Sequence, residues 1–238
     1  MKKNHKVLVV DDQQVSLLRT VEVLSSRYTV ITSQTASQAL QLARDEMPSV
    51  IVLDLILPAA GGLLACEMLR NAEATRSIVI IVYTELNDPA ERIRAFKVGA
   101  DDYLLKPCDA EELLARVDAK IRRLEEIKAN TEAQEIRCGN LIMDLQSLEA
   151  RLNGKSVALT MLEFNLLKYF VEYKGKLRSR QQILEAVWRT PDIPGRILDP
   201  HILSIRKKIA GFDHQLSTIY GGGYILKEGT PIQSGDRS

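Results

Sequence analysis

The sequence is poor in cysteine and in long hydrophobic runs. Its 238 residues include only three cysteines, Cys66, Cys108 and Cys138, which are widely spaced and form no Cys-x-x-Cys pair. This pattern argues against a disulfide framework or a zinc site and is typical of a reducing compartment. The first residues are too polar for a signal peptide, and no later run approaches the length of a membrane span. We therefore expect a cytoplasmic protein with no membrane contact.

The chain also lacks a strong excess of charge of one sign. The formal net charge of +1 hides a division, because residues 1–127 contain 16 lysines and arginines against 19 aspartates and glutamates, whereas residues 128–238 contain 16 against 12. A hydrophobic fraction of 45% and a charged fraction of 26% are ordinary for a globular protein, and the length allows two hydrophobic cores. We expect two domains, of which the second is the more basic.

The first half of the sequence alternates apolar runs with helical patterns. The strand-like runs are 7–10, 28–32, 50–53, 78–83 and 103–105, and the helical patterns are 13–26, 36–46, 62–72, 89–98 and 109–126. Five such β/α repeats predict a doubly wound α/β domain with a five-stranded parallel sheet over residues 1–126.

The second half has shorter elements. Residues 127–135 lack apolar periodicity and are predicted to be a linker, residues 136–228 a second domain, and residues 229–238 a disordered tail. Short alternating runs around Asn153-Gly154 predict antiparallel strands joined by a type I′ turn. Three helical patterns follow, and the segment LSTIYGGGYIL predicts a closing hairpin. This order predicts a small α+β winged helix-turn-helix domain.

Capping signals mark the starts of these three helices. Thr160 with Glu163 and Ser179 with Gln182 each fit a capping box. Asp199 is predicted to be the N-cap of the third helix, with Pro200 at its first position.

Five polar residues stand where the apolar runs of the first half end. Asp11 and Asp12, Asp54, Thr84 and Lys106 each follow or close a run, and ligands of open α/β sheets bind at that edge. Three clustered carboxylates repel one another unless a hard cation lies between them, and Mg²⁺ prefers such oxygen ligands. The sequence predicts a magnesium site that receives phosphoryl groups.

The chemistry of this cluster centres on Asp54. We expect its carboxylate to attack phosphorus and form an acyl phosphate, while Mg²⁺ and Lys106 neutralise the phosphoryl oxygens and Thr84 donates a hydrogen bond. A cis peptide bond between Lys106 and Pro107 would hold the lysine over the cluster. The alternative is that these carboxylates are solvated strand ends with no such role.

With these motifs, residues 5–126 resemble the receiver domain of two-component response regulators. The positions that match are the acidic pair Asp11 and Asp12, the phosphoacceptor Asp54, the loop glycine Gly62, the switch residues Thr84 and Tyr103, and Lys106. The resemblance implies a sensor histidine kinase as partner. Two positions depart from the usual pattern, since Glu85 replaces a small residue and the loop after Asp54 reads LPAAGG.

A charged surface follows Thr84 along the sequence. Its charged residues are Arg92, Arg94, Lys97, Asp101, Asp102, Glu112, Arg116, Asp118, Arg122 and Arg123. Similarity to OmpR/PhoB-type regulators implies a homodimer that forms on phosphorylation through the pairs Arg92–Glu112, Asp102–Arg123 and Lys97–Asp118. A solvated helix face would give the same composition.

Residues 136–228 resemble the winged-helix output domain of the same family. The resemblance implies that the third helix enters the major groove of double-stranded DNA, that the wing reaches the minor groove, and that residues 189–195 face RNA polymerase. The residues expected at DNA are Arg196, Pro200, His201, Leu203, Ser204, Arg206, Lys207, Lys208 and Tyr220. Leu203 and Ser204 stand where polar or basic residues are frequent, and Tyr220 replaces the usual arginine of the wing.

The function predicted is a transcription factor controlled by aspartyl phosphorylation, not an enzyme, although the receiver would support its own phosphorylation and dephosphorylation. One alternative keeps the receiver but makes the second domain a protein-binding module, as Leu203 and Tyr220 allow. Another is a magnesium-dependent aspartyl-phosphate hydrolase, which lacks a second acid/base carboxylate because position 56 is Ile56.

Overall fold

The computed structural model describes residues 5–58, 61–129, 135–188 and 197–229, with the side chains of 127–129 left aside. The chain divides into two compact units, and the division falls just after the long helix that ends the first unit. No helix of the described ranges is both long and apolar enough to cross a membrane.

The first unit contains five β/α repeats. Its strands are β1 Lys6–Val10, β2 Thr29–Ser33, β3 Val50–Leu53, β4 Val79–Thr84 and β5 Asp102–Leu105. Its helices are α1 Gln14–Ser25, α2 Ala36–Glu46, α3 Gly61–Asn71, α4 Pro89–Val98 and α5 Ala110–Ala129. The strands pair in parallel in the order β2-β1-β3-β4-β5. The predicted doubly wound sheet is confirmed.

Burial explains why these segments are strands. All four residues of β3 are buried, as are the last four of β1, because helices cover both faces of a parallel sheet. The helices begin and end at specific residues. The side chain of Asp88 accepts a hydrogen bond from the backbone N–H of Ala90 at the start of α4, Pro89 opens that helix, and Gly99 ends it with φ = 112°.

The second unit is built from two sheets and three helices. The strands β6 Glu135–Cys138, β7 Leu141–Asp144, β8 Glu149–Leu152 and β9 Lys155–Val157 form an antiparallel sheet in sequence order. The helices α6 Met161–Glu172, α7 Arg180–Val187 and α8 Leu198–Lys208 follow, and β10 His214–Ile219 pairs with β11 Gly223–Glu228 in a closing hairpin. This is the predicted winged helix-turn-helix order.

Local signals in the second unit are confirmed at two places. Asn153 and Gly154 have φ of 50° and 76° in the turn between β8 and β9. Ser179 and Gln182 form the predicted capping box of α7.

Two boundaries differ from the prediction. Helix α5 continues to Ala129, three residues into the segment predicted to be a linker, because helical backbone does not require the apolar periodicity that ends near 126. The N-cap of α8 is Ile197, not Asp199, and Asp199 lies in the first turn of the helix. Its carboxylate accepts hydrogen bonds from Arg180 and from the hydroxyl of Tyr224, so tertiary contacts override the capping signal.

Candidate functional site

The five polar residues at the strand ends lie at one edge of the sheet. Asp11 and Asp54 follow β1 and β3, and the backbone N–H of Asp54 donates to the carbonyl of Val10 at 2.9 Å. Thr84 is the last residue of β4, and its carbonyl accepts a hydrogen bond from the backbone N–H of Lys106 at 2.8 Å. The parallel hydrogen bonding therefore continues past the strands and brings these side chains together.

Lys106 lies between two carboxylates. Its Nζ is 2.7 Å from Oδ2 of Asp11 and 2.5 Å from Oδ2 of Asp54. The three side chains are nearly inaccessible, with exposed fractions of 8%, 3% and 2%. Buried charges persist only when they are paired, and here one ammonium neutralises two carboxylates. The peptide bond between Lys106 and Pro107 is cis, in agreement with the hypothesis raised from the sequence.

The backbone orients both carboxylates. Oδ1 of Asp11 accepts a hydrogen bond from the N–H of Gln13, and Oδ1 of Asp54 accepts one from the N–H of Ile56, each at 2.9 Å. With one oxygen fixed by the chain in this way, the other oxygen of each side chain faces Lys106. The nucleophile predicted at Asp54 is therefore held in one orientation.

Asp12 differs from its neighbours. Its Oδ1 is buried and has no hydrogen-bond partner among the described residues. The described ranges contain no group of three or more His, Cys, Asp and Glu side chains that could hold a metal ion. Of the three carboxylates predicted to hold Mg²⁺, those of Asp11 and Asp54 contact Lys106 in this structure, and their joint role with Asp12 stays a prediction. The buried oxygen of Asp12 and the adjacent carboxylates still fit the donor chemistry of Mg²⁺.

Gly62 allows the chain to pass close to Asp54. A Cβ atom at Gly62 would lie 2.1 Å from the carbonyl oxygen of Asp54, and the N–H of Gly62 donates to the carbonyl of Leu55 at 2.9 Å. Only glycine fits this approach. The loop after Asp54 therefore depends on a residue that makes no contact with the reacting atoms.

A groove of about 570 Å³ lies beside Lys106. Its lining includes Gln13, Tyr83, Glu85, Lys106 and Cys108. The ring centroid of Tyr83 is 5.2 Å from Nζ of Lys106, and the hydroxyl of Tyr83 is 3.7 Å from Sγ of Cys108. Glu85 is exposed in this groove, so any phosphodonor that enters along it meets a carboxylate.

The second unit presents α8 as its basic helix. The apolar side formed by Leu198, Ile202, Ile205 and Ile209 is buried, as predicted. Asp199, Leu203 and Lys207 are exposed, and Tyr220 between β10 and β11 is fully exposed.

Comparison with known proteins gives the family. Residues 7–118 match the family described as response regulator receiver domain, and residues 154–226 match that described as transcriptional regulatory protein, C terminal. The chain is 36% identical to the alkaline phosphatase synthesis transcriptional regulatory protein PhoP of Bacillus subtilis. The alignment of 238 positions covers 94% of this chain and 98% of PhoP. The chain belongs to the OmpR/PhoB-type response regulators.

Further relatives agree with this assignment. The DNA-binding dual master transcriptional regulator RpaA of Synechocystis is 35% identical over 231 residues, with 94% of this chain and 96% of that protein covered. A solved structure of a RitR mutant superposes on this chain with a TM-score of 0.77 at 23% sequence identity, and the match covers 95% of this chain and 100% of the RitR chain. This similarity concerns the fold alone.

As a response regulator, the chain joins a receiver domain to a DNA-binding domain, so a histidine kinase and DNA are its partners. Its relatives are transcriptional regulators, not enzymes. They support DNA binding and not the alternative of a protein-binding second domain.

In the receiver, the predicted switch residues contact the same backbone segment. Thr84 is fully buried, and its Oγ1 is 3.5 Å from the N–H of Leu86. Tyr103 is 5% exposed, and its hydroxyl donates to the carbonyl of Leu86 at 2.6 Å. Burial raises the pKa of Tyr103 to about 12, so its hydroxyl keeps the proton that it donates. Leu86 therefore joins the two switch positions.

The charged surface predicted for the dimer needs correction at two positions. Asp102 is 1% exposed, and its oxygens lie 3.5 Å from Arg116 and 3.2 Å from Lys120 of the same chain, because β5 is covered by α5. Asp118 points towards the end of α1, where Arg27 and the hydroxyl of Tyr28 contact it. Arg92, Lys97, Glu112 and Arg123 are at least partly exposed.

One buried ion pair of the receiver was not predicted from the sequence. Arg70 and Asp101 are joined at 2.5 Å with 5% of each side chain exposed, although Asp101 was assigned to the charged surface. Arg70 also donates to the carbonyl of Gly99 at 2.7 Å, and the N–H of Ile80 donates to Asp101 at 2.7 Å. The pair thus ties α3 to β4 and to the end of α4. Only the apolar neighbours of Arg70 in sequence hinted at its burial.

Of the DNA contacts predicted on α8, the one at His201 needs correction, and three other residues make contacts within the domain. His201 is 5% exposed and packs against Trp188 with ring centroids 5.9 Å apart, so it belongs to the core. Ser204 and Lys208 contact Glu163 of α6, and Arg206 contacts the hairpin. Each of these side chains lies where the helix meets another element of the unit. Arg196 and the loop 189–195 lie outside the described residues.

Proposed function

We propose that Asp54 accepts a phosphoryl group from a sensor histidine kinase and that this controls binding of the chain to promoter DNA. The observation that carries the proposal is the position of Lys106, with Nζ 2.5 Å from Asp54 and 2.7 Å from Asp11 at the carboxyl edge of the sheet. A buried carboxylate whose orientation is fixed by a backbone hydrogen bond and by a lysine is well placed to act as a nucleophile.

The transfer requires few groups. An oxygen of Asp54 forms a bond to phosphorus while the bond from phosphorus to the donor breaks, and the donor leaves with that electron pair. The Lys106 ammonium neutralises the phosphoryl oxygens, and the hydroxyl of Thr84 donates to one of them. Hydrolysis of the acyl phosphate by water returns Asp54 to its free form.

Mg²⁺ fits the same edge of the sheet. Asp11, Asp12 and Asp54 would hold it, and the buried Oδ1 of Asp12, which has no hydrogen-bond partner within the described part of the chain, supports this assignment. When bound, the ion supplies positive charge to the phosphoryl oxygens. Lys106 then no longer needs to neutralise both carboxylates.

The signal leaves the site through Thr84 and Tyr103, and Leu86 contacts both. We expect phosphorylation to favour a homodimer through Arg92, Lys97, Glu112 and Arg123. Asp102 and Asp118 would join the pairs Asp102–Arg123 and Lys97–Asp118 only by leaving their partners within the chain. Exposed ion pairs contribute about 0–1 kcal/mol each, so they select the partner more than they add affinity.

The proposed domains are a receiver over 1–126, a linker over 127–135 and a winged-helix domain over 136–228, followed by a tail. We expect α8 to enter the major groove with Pro200, Leu203 and Lys207, and Tyr220 to approach the minor groove. Arg196 is expected at a phosphate, and residues 189–195 are expected to face RNA polymerase.

The test is the mass of the intact chain after incubation with Mg²⁺ and a small phosphodonor. The wild type should gain one phosphoryl group, and Asp54→Ala should gain none. Asp45→Ala is a matched control, because Asp45 is an exposed aspartate of α2. An equal adduct in the wild type and in Asp54→Ala would refute the proposal.

A further inference from the structure

The exposed side of α8 carries an apolar residue at its centre. Asp199, Leu203 and Lys207 follow one another at intervals of four residues, so they share one face of the helix. Leu203 is 54% exposed, whereas Ile202 and Ile205 on the other side are buried. A large apolar side chain therefore stands in the middle of the face expected to meet DNA.

The polar side chains beside this face are engaged within the domain. Glu163, itself 2% exposed, accepts hydrogen bonds from Ser204 at 2.5 Å and from Lys208 at 2.6 Å. Arg206 donates to the carbonyl of Leu216 at 2.7 Å and to Oγ1 of Thr218 at 2.9 Å. These contacts hold α8 against α6 and the hairpin, and they compete with any contact to DNA.

The acidic residue of the exposed face is also paired. Asp199 accepts a hydrogen bond from Arg180 at 2.7 Å and another from the hydroxyl of Tyr224. Although desolvation opposes its ionisation, these hydrogen bonds lower the pKa of Asp199, and Arg180 offsets its charge near phosphates. Among the described residues of α8, this face thus offers DNA one large exposed apolar side chain, Leu203, and one exposed cation, Lys207, with the half-buried Pro200 beside Asp199.

Leucine has no group that can read hydrogen-bond donors or acceptors of base edges. In the major groove the C5-methyl group of thymine is the apolar feature, and side chains such as alanine and the methyl of threonine contact it. We propose that Leu203 is a specificity-determining residue that selects thymine through its methyl group. The inference rests on the proposed function, in which α8 lies in the major groove.

The test begins with selection of binding sites from a random duplex library by the full chain, in the presence of Mg²⁺ and a small phosphodonor. Each thymine of the selected site is then replaced singly by deoxyuridine, which lacks only the methyl group. At one position per half-site the wild type should lose about fourfold in affinity, the effect of one methyl group leaving an apolar contact. Leu203→Ala should bind the thymine site about tenfold more weakly than the wild type.

The decisive comparison is the replacement measured in both proteins. Leu203→Ala should not distinguish thymine from deoxyuridine at that position, whereas Leu64→Ala should behave like the wild type. Leu64 is a matched control, since it is 45% exposed on α3 of the receiver.

Three outcomes would overturn the inference. An equal loss on deoxyuridine replacement in the wild type and in Leu203→Ala, or no loss at any position, would refute the role of Leu203 while DNA binding stands. Failure of the full chain to select any duplex would refute both this inference and the proposed binding of promoter DNA.

Discussion

The receiver and the winged-helix domain both pair charged side chains internally, but only in the receiver does this pairing lie at the expected functional site. In the receiver, Asp11, Asp54 and Lys106 are buried together at the place where chemistry is expected. On α8, Lys208, Arg206 and Ser204 contact the rest of their own domain, and Leu203 is exposed. Charge predicts function well where the backbone dictates position, and poorly on a helix whose long side chains can turn inward or outward.

The largest effect is expected at the buried pair of the receiver that serves no reaction. Arg70→Met leaves Asp101 buried without its partner and should lower the free energy of unfolding by about 3–5 kcal/mol. Urea denaturation followed by circular dichroism measures this loss. Arg94→Met is the matched control, because the side chain of Arg94 is 66% exposed, and it should cost under about 1 kcal/mol.

This loss should depend on pH in a defined direction. Burial raises the pKa of Asp101, and removal of Arg70 raises it further, because the arginine favours the ionised form. The folded variant then binds a proton that the unfolded chain does not, so its stability rises as pH falls towards the ordinary pKa of aspartate. The difference between variant and wild type should shrink between about pH 7 and pH 5. A difference that widens there would contradict a buried Asp101.

The second largest effect is expected at Gly62, where the backbone passes close to Asp54. Gly62→Ala places a Cβ against the carbonyl oxygen of Asp54 and should cost about 2–3 kcal/mol, since backbone must move. It should also reduce the phosphoryl adduct measured by mass, because that movement shifts Asp54.

The neighbouring glycine supplies the control. Gly61 has φ of +69° but no atom within 4 Å of its added Cβ. Gly61→Ala should therefore cost only about 1 kcal/mol and leave the adduct intact. Equal effects at the two positions would show that close approach to Asp54 is not what requires Gly62.

The sequence predicted the receiver site more fully than the rest because strand ends fix positions. Asp11, Asp54 and Lys106 are in contact, and the carbonyl of Thr84 accepts a hydrogen bond from the N–H of Lys106, because the parallel strands end at the same edge. The ammonium of Lys106 between two carboxylates was not predicted, because charge repulsion indicates only that some cation is needed.

The errors at His201, Asp102 and Asp199 share one physical cause, which is tertiary contact. Because His201 and Asp102 are polar, the sequence predicts that they lie on the surface. In the structure Trp188 packs against His201, and Lys120 of α5 contacts Asp102. Asp199 fits a capping position, but Arg180 and Tyr224 hold it within the first turn of α8. None of these partners is near in sequence, so no local pattern could reveal them.

The smallest predicted effect compares two adjacent lysines of the winged-helix domain. Lys207→Ala should reduce the slope of log affinity against log salt concentration by about one, as expected when one phosphate contact is lost. Lys208→Ala should leave the slope unchanged, because Lys208 contacts Glu163 at 2.6 Å. Filter binding to one duplex over a range of salt measures both. Equal changes would mean that Lys208 leaves Glu163 to reach DNA.

The carboxylate of Glu163 has a consequence for how the regulator is controlled. Because it accepts hydrogen bonds from Ser204 and, one turn later, from Lys208, it couples α6 to α8, the helix proposed to enter the major groove. We therefore expect the surface of α8 that meets DNA to be the same in both states of the receiver. We then expect phosphorylation to control whether two copies bind a promoter together. The DNA sequence that each copy recognises should stay the same.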